Sequence, residues 1–337
     1  MQYEMKRLRE LEMLVGNTPL AEITYRFKKA IRKLYVKLEY YNFSGSIKDR
    51  MALNCIKRAF ENGSLKQGYV IAETTSGNTG IALCSIASYL GHTCVIFMPD
   101  WMSEERKNII TSFGAELILV SKDEGGFLGC LDKTKEFGAQ EGIYLPNQFS
   151  NEHNVEAHYM TTGPEILKQA NKLGVKIHGI ALGVGTGGTL MGVGRFLKSV
   201  SRDVKIFPME PSNSPTMTTG YKIGTHRIAG ISDEFIPQIM NLSQCDEILQ
   251  VDDGDAIIMA QRISKELGIG VGISSGANFL AAVLASDKTF EGANIATVFS
   301  DDNKKYLSTD YTKEEPIKDS FLSPLIEFLD ISFVNAM

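Results

Sequence analysis

Between residues 34 and 38, apolar Leu34, Val36 and Leu38 alternate with Tyr35 and Lys37, the period of two of a strand. Past residue 46 the period lengthens, and Ile47, Met51, Ala52, Cys55, Ile56 and Ala59 recur at helical spacing. The same switch repeats down the chain. Strands are predicted at 69–73, 93–98, 116–120 and 143–145, and helices at 78–90, 103–113 and near 128–137, with Gly91 and Gly114 as helix stops. A second series has a helix after Gly163, a strand at 177–182, a helix after Gly188 and a strand at 205–209. Beyond a loop-rich stretch come a strand at 247–251, helix 255–267, a helix after Ser275 and a strand at 294–299. This alternation predicts an α/β protein with two wound, mostly parallel sheets flanked by helices, meeting near residue 150. The tail, 311–337, changes character: charged residues at 313–319 precede Leu322, Leu325, Ile326, Phe328 and Leu329. It reads as a short packing or dimer-forming helix, or as a loosely held end.

A chain of 337 residues is long enough for two domains with cores of their own. Its net charge of −5 offers no basic stripe to neutralise phosphates, which argues against nucleic acid as a partner. The first 14 residues mix acids and bases and lack the apolar core of a signal peptide. The greasiest region, 81–98, is interrupted by Ser85, Ser88, Gly91 and His92, which fits a buried helix and strand better than a membrane span. The five cysteines form no CxxC pair, and none of the five histidines stands at metal-ligand spacing, so no metal is expected. Together these features suggest a cytoplasmic protein in a reducing compartment.

Four loops carry candidate chemistry. In Asn42-Phe43-Ser44-Gly45-Ser46-Ile47-Lys48-Asp49-Arg50, the side chains of Asn42, Ser44 and Ser46 offer capping oxygens, so Lys48 falls in a first helical turn. The positive end of the helix, with Arg50 close by, favours the neutral amine that a carbonyl-attacking lysine needs. The ordinary alternative is a solvated lysine. The second loop, Thr74-Thr75-Ser76-Gly77-Asn78-Thr79-Gly80, places hydroxyls, an amide and backbone N–H groups at a helix start, a cradle for a carboxylate; a plain capped turn is the competing reading. The third, Gly183-Val184-Gly185-Thr186-Gly187-Gly188-Thr189, would hold a phosphate on its backbone donors. It also satisfies GxGxxG, with Glu210 near the position of an acidic ribose contact, so a nicotinamide-dependent oxidoreductase competes. In the fourth, Gly272-Ile273-Ser274-Ser275-Gly276-Ala277, Ser274 could face a bound heterocycle or simply cap the helix.

Taken together, the four loops resemble those of the fold-type II pyridoxal-phosphate enzymes, specifically the cysteine synthase and cystathionine β-synthase family. The resemblance runs from about residue 14 to 307. It includes Gly16-Asn17-Thr18-Pro19-Leu20, Met98-Pro99, Glu105-Arg106, Asn147-Gln148-Phe149 and Thr161-Thr162-Gly163-Pro164-Glu165-Ile166. It implies pyridoxal 5'-phosphate as cofactor, held by Lys48 as a Schiff base, with Lys48 later acting as the base at the substrate Cα. Asn78 would meet the cofactor's phenolic oxygen, Gly185, Thr186, Gly187, Gly188 and Thr189 its phosphate, and Ser274 its pyridine nitrogen. Thr75, Ser76, Thr79 and Gln148 would grip the substrate carboxylate. A neutral serine at the pyridine nitrogen makes a weaker electron sink, which favours loss of a β substituent through an α-aminoacrylate intermediate. The resemblance also implies a smaller, movable substrate-binding domain at 46–155, a larger phosphate-binding domain at 1–45 plus 156–310, and a homodimer.

The chain departs from the family pattern in three places. Phe43 stands where a proline is usual. Ser300-Asp301-Asp302-Asn303-Lys304-Lys305 replaces a stretch containing Ser and Gly. Gly230-Ile231-Ser232-Asp233-Glu234-Phe235-Ile236-Pro237 carries acids where cysteine synthases have small residues. A carboxylate at Asp233 could serve as general base for water or a thiol, whereas sulfide, an anion already, needs none. The favoured expectation is therefore cleavage of L-cysteine by water, releasing hydrogen sulfide and giving L-serine, with both loop acids simply solvated as the ordinary alternative. Cysteine synthesis from O-acetylserine, formation of cystathionine or lanthionine, and a catalytically idle regulatory partner are the competing functions. His158-Tyr159 matches a His-Tyr pair of the cystathionine β-synthase branch.

Overall fold

A computed structural model describes residues 2–231 and 234–336. In chain order it begins with α1 (Gln2–Glu12), β1 (Leu20–Phe27), β2 (Ala30–Leu38) and α2 (Lys48–Asn62). It continues with β3 (Val70–Thr74), α3 (Asn78–Leu90), β4 (Cys94–Pro99), α4 (Glu104–Ser112), β5 (Glu116–Val120), α5 (Gly126–Phe137) and β6 (Ile143–Tyr144). Then come α6 (Glu152–Ala157), α7 (Gly163–Lys172), β7 (Gly179–Gly183), α8 (Gly188–Val200), β8 (Lys205–Pro211), α9 (Thr216–Thr219) and β9 (Leu249–Val251). The chain closes with α10 (Asp253–Leu267), α11 (Ile273–Thr289), β10 (Ile295–Phe299) and β11 (Ile326–Val334).

The strands form two sheets. The smaller is parallel throughout, in the order β5-β4-β3-β6; the larger runs β11-β1-β2-β10-β7-β8-β9, parallel from β2 to β9. Parallel strands need both faces covered. On the larger sheet one face packs Phe279, Ala277 and Ile257 of α10 and α11, and the other packs Ile166, Leu190 and Leu197 of α7 and α8. On the smaller sheet Ile56 of α2 and Ile81, Ala82 and Ile86 of α3 cover one face, while Cys130 of α5 covers the other. Leu8 and Leu11 of α1 join the α2–α3 core. The N-terminal helix therefore packs with the smaller sheet, although the expected boundary grouped residues 1–45 with the larger one.

The tail makes neither a helix nor a loose end. Ile326 to Val334 form an antiparallel edge strand on β1, pairing Phe27 with Ile326 and Leu20 with Val334, with a bulge between Thr24 and Tyr25. Phe328 meets Phe279 edge-on at 5.3 Å, and Arg262 lies over its ring. β1 itself escaped the pattern reading, although Ile23, Tyr25 and Phe27 alternate with Glu22, Thr24 and Arg26.

Ile326 is 3% exposed and Leu329 38%. Ile326→Ala is expected to cost about 2–4 kcal/mol in chemical denaturation, whereas Leu329→Ala should fall within about 0.5 kcal/mol of the parent. Equal effects would mean that the edge strand is not anchored through its inward face.

Candidate active site

Three neighbouring parallel strands, β2, β10 and β7, end at the same edge of the larger sheet, the usual crevice for a ligand in such folds. The segments that follow them meet there. The Ile47 N–H donates to the Ser300 carbonyl at 2.9 Å, and Ser46 pairs with Asp301 as an antiparallel bridge. After β7, Gly183 donates to Asn278 Oδ1 of α11 at 2.7 Å. The cavity that results is lined by Lys48, Asn78, Gly185, Thr186, Gly187, Thr189, Gly230, Ile231, Ser274 and Ser300. Lys48, Asn78, the glycine loop and Ser274, far apart in sequence, are brought to one place.

Lys48 opens α2 with its N–H donating to Ser46 Oγ at 3.3 Å. Asn42 and Ser44 do other jobs. The Asn42 side-chain oxygen accepts from Gly16, and Ser44 donates to Asp49 at 2.5 Å. Burial holds the Lys48 amine below the ordinary lysine range, and the Asp301 carboxylate pulls it back up. Arg50 does not produce that depression, contrary to expectation. Its guanidinium turns away into a buried cluster, meeting Glu39 at 2.6 Å and Glu165 at 2.7 Å, while Lys37 meets Glu165 at 2.8 Å. Against the cost of its own burial, Arg50 holds the Glu39 carboxyl at about 2.

The second loop follows β3. Thr75 Oγ1 accepts from the Gly77 N–H, and Gly77 sits at φ +152°, where an added Cβ would come within 2.3 Å of the Arg106 side chain. β3 and β6 are neighbours, so Gln148, just beyond β6, reaches this loop. It accepts from Thr79 Oγ1 at 2.6 Å and donates to the Thr74 carbonyl at 2.6 Å. Behind them, each oxygen of buried Glu73 accepts a backbone N–H, from Thr74 and Gln148. Thr79 and Gln148 are thus bonded to each other, with buried Thr75 held to Gly77 and Ser76 half-buried between them.

In the third loop Gly187 takes φ +87° to open α8. A Cβ on Gly185 would lie 2.3 Å from the Gly230 carbonyl, so the two loops touch through their backbones. Asn154 donates to Thr186 Oγ1 at 2.9 Å. His158 links Thr189 Oγ1, at 3.1 Å, to Thr162 Oγ1, at 2.9 Å. Burial, helped by Arg50, pushes its imidazole down to about 3, so the ring is neutral. Asn154 and Asn278 escaped the sequence reading, because nothing in their local spacing marks a side chain that braces a distant loop.

Ser274 is nearly buried in the first turn of α11 and is not its cap; Gly272 holds that position. Glu210 corrects the nicotinamide alternative. Its carboxylate is taken by Thr218 Oγ1 and by the N–H groups of Met217 at 2.6 Å and Thr218 at 3.3 Å, so it cannot serve a ribose. Asp233 lies outside the described residues. Glu234, its neighbour, pairs with Lys222 at 2.6 Å. No group of metal-ligating side chains occurs among the described residues. The site suits pyridoxal phosphate: an amine of lowered basicity, a glycine loop at a helix start, a hydroxyl, and Asn78, whose amide nitrogen gives one N–H to Asp301 and keeps a second.

His158 makes stability depend on pH. Below about pH 6.5 the unfolded chain binds a proton there that the folded chain refuses until about pH 3, so stability falls on acidification. Between pH 6.5 and 4.5, His158→Gln is expected to lose about 2–3 kcal/mol less than the parent in urea denaturation. Identical pH slopes would mean that the folded protein protonates His158.

The sequence model of the family described as pyridoxal-phosphate dependent enzyme matches residues 11–301. A cysteine synthase of Staphylococcus aureus is 40% identical over 304 residues, 90% of this chain and 97% of the relative. A hydrogen sulfide-producing enzyme of Fusobacterium nucleatum is 52% identical and superposes with a TM-score of 0.96 over 98% of this chain and 99% of its own. A mutant of that enzyme has been solved with an alpha-aminoacrylate intermediate. A cysteine synthase of Entamoeba histolytica is 35% identical, with a TM-score of 0.83 over 94% of this chain and 93% of its own. No helix among the described residues is long and apolar enough to cross a membrane. With a family match across most of its length and four loops converging on one cavity, the chain belongs to the fold-type II pyridoxal-phosphate dependent enzymes of the cysteine synthase family.

Proposed function

We propose that the protein replaces the thiol of L-cysteine with water, giving L-serine and hydrogen sulfide. Bound pyridoxal phosphate supplies the electron sink that acidifies the substrate Cα proton and lets the β substituent leave. The residues divide the remaining tasks. Lys48 carries the cofactor and, once freed, takes the Cα proton, for which its lowered basicity suits it. Asn78 meets the phenolic oxygen, Gly185 to Thr189 hold the phosphate, and Ser274 faces the pyridine nitrogen without supplying a charge. Thr75, Ser76, Thr79 and Gln148 orient the substrate carboxylate. Asp233 takes a proton from water as its oxygen adds to Cβ.

One observation carries the choice of water. Gly230 and Ile231 line the cavity, and the chain then runs directly into Ser232 and Asp233. A carboxylate two residues past the cavity wall supports activation of a neutral nucleophile and disfavours anionic sulfide. The similarity to a sulfide-producing enzyme points the same way. Cysteine synthesis is the second reading, favoured by the 40% identity to a cysteine synthase. Residues 46–155, together with α1, are the unit that moves over the substrate, and family precedent supports a cytoplasmic homodimer.

Incubation with L-cysteine alone is expected to yield serine and sulfide in equal amounts by mass spectrometry. Pyruvate and ammonia as products, or turnover of O-acetylserine with sulfide and none of cysteine, would overturn the assignment. Asp233→Ala should slow serine formation by about 10²- to 10⁴-fold while leaving the spectral change on cysteine addition in place. Unchanged turnover would remove Asp233 from the reaction. Lys48→Ala is expected to be inactive and to give no cofactor adduct after borohydride reduction, and a borohydride-trapped adduct on another residue would place the attachment elsewhere.

A further inference from the structure

Asp301 is fully buried beside the candidate attachment lysine, in one of the stretches where this sequence departs from the family pattern. Its Oδ2 accepts from Asn78 Nδ2 at 2.8 Å and from the Tyr306 hydroxyl at 2.7 Å. Its Oδ1 has no hydrogen-bond partner among the described residues. Space for that oxygen comes from Gly272, where an added Cβ would stand 2.2 Å from it. The backbone fixes the arrangement further, because the Ser46–Asp301 bridge and the Ile47-to-Ser300 hydrogen bond tie the two segments together just before Lys48.

A buried carboxylate served only by neutral donors needs a cation. The other cations nearby hold partners of their own, and Arg106 meets the ring of Tyr306 rather than the carboxylate. Arg106 stacks over the Tyr306 ring at 4.5 Å and donates to Ser103 at 3.0 Å. Lys305 donates to the Gly45 carbonyl at 2.9 Å and faces Asp49, whose carboxyl burial pushes up to about 6. Asp302 and Lys304 pair with each other at 3.6 Å. Burial and Asp301 itself keep the Tyr306 hydroxyl protonated. Lys48 remains.

We propose that Asp301 is a positioning residue for the cofactor: it turns the Asn78 amide nitrogen towards itself and balances the positive charge on the Lys48 nitrogen. The amide then has its second N–H available for the phenolic oxygen, and the Lys48 nitrogen keeps its proton to higher pH. This inference rests on Lys48 as the attachment point, and does not depend on which nucleophile adds to the substrate.

The test is a pH titration of the visible absorbance of the holoenzyme, in the absence of substrate. Asp301→Asn keeps an acceptor for Asn78 and Tyr306 and removes the charge, so its deprotonation midpoint should fall by about 1–3 pH units, the usual effect of losing an opposite charge at short range. Tyr306→Phe removes a donor to the carboxylate and leaves the charge, so its midpoint should stay at the parent's value or rise. Should the Asn variant not accumulate as folded protein, Asp301→Ser serves the same comparison. Coincident curves for parent and neutral variant, including curves that are both flat to pH 10, would overturn the proposal. Failure of the attachment assignment is read separately, as a borohydride-trapped cofactor adduct in Lys48→Ala.

Discussion

The arrangement depends on burying one guanidinium. Arg50 lies two residues beyond Lys48 and is 3% exposed, so it must find its counter-charges inside the protein. It finds them on two other elements: Glu39, at the end of β2, and Glu165 in α7. Lys37 on β2 and the hydroxyl of Thr18 complete the set. Two cations and two carboxylates in mutual contact leave no net charge, and each geometric demand they make is a demand on the first turn of α2. A cluster of this kind adds little to stability compared with a well-packed apolar replacement, but an incomplete one is costly. Its effect here is to fix the position of a helix start.

That fixed start explains how residues from both sheets act together. α2 packs its apolar side into the core of the smaller sheet, while its first turn is held by charges from the larger one. Lys48 therefore belongs to both halves at once. On the larger sheet the loops arrive by strand order: β10 lies between β2 and β7, so Ser300 falls between the lysine loop and the glycine loop. Parallel strands all end on the same side, which is why loops separated by more than a hundred residues share one cavity.

Much of this was legible in the sequence, and the misses have a common cause. Local signals placed Lys48 in a first turn, matched α3 from Asn78 to Leu90, and started α8 at Gly188. Each depends on chemistry within a few residues of the feature: a capping oxygen, a helix-stopping Gly91, a Gly187 at positive φ. What failed depends on partners far along the chain. Arg50 looked like a neighbour of the Lys48 amine until Glu165, 115 residues away, drew it off. Glu210 stood at a plausible spacing for a ribose, and three donors from a later helix take its carboxylate. Asp301 was visible as a departure in sequence, but only β-sheet pairing sets it against Ser46.

The edge strand at the C-terminus has a consequence for how the chain is made. β1 is made long before β11, and the two are partners. Until β11 is made, one edge of the larger sheet stays open, and the backbone groups of β1 that face away from β2 are unmatched. The smaller sheet, whose strands all lie between residues 70 and 144, can close during that interval. A chain cut before β11 carries every described residue of the cavity and a raw sheet edge able to recruit other chains.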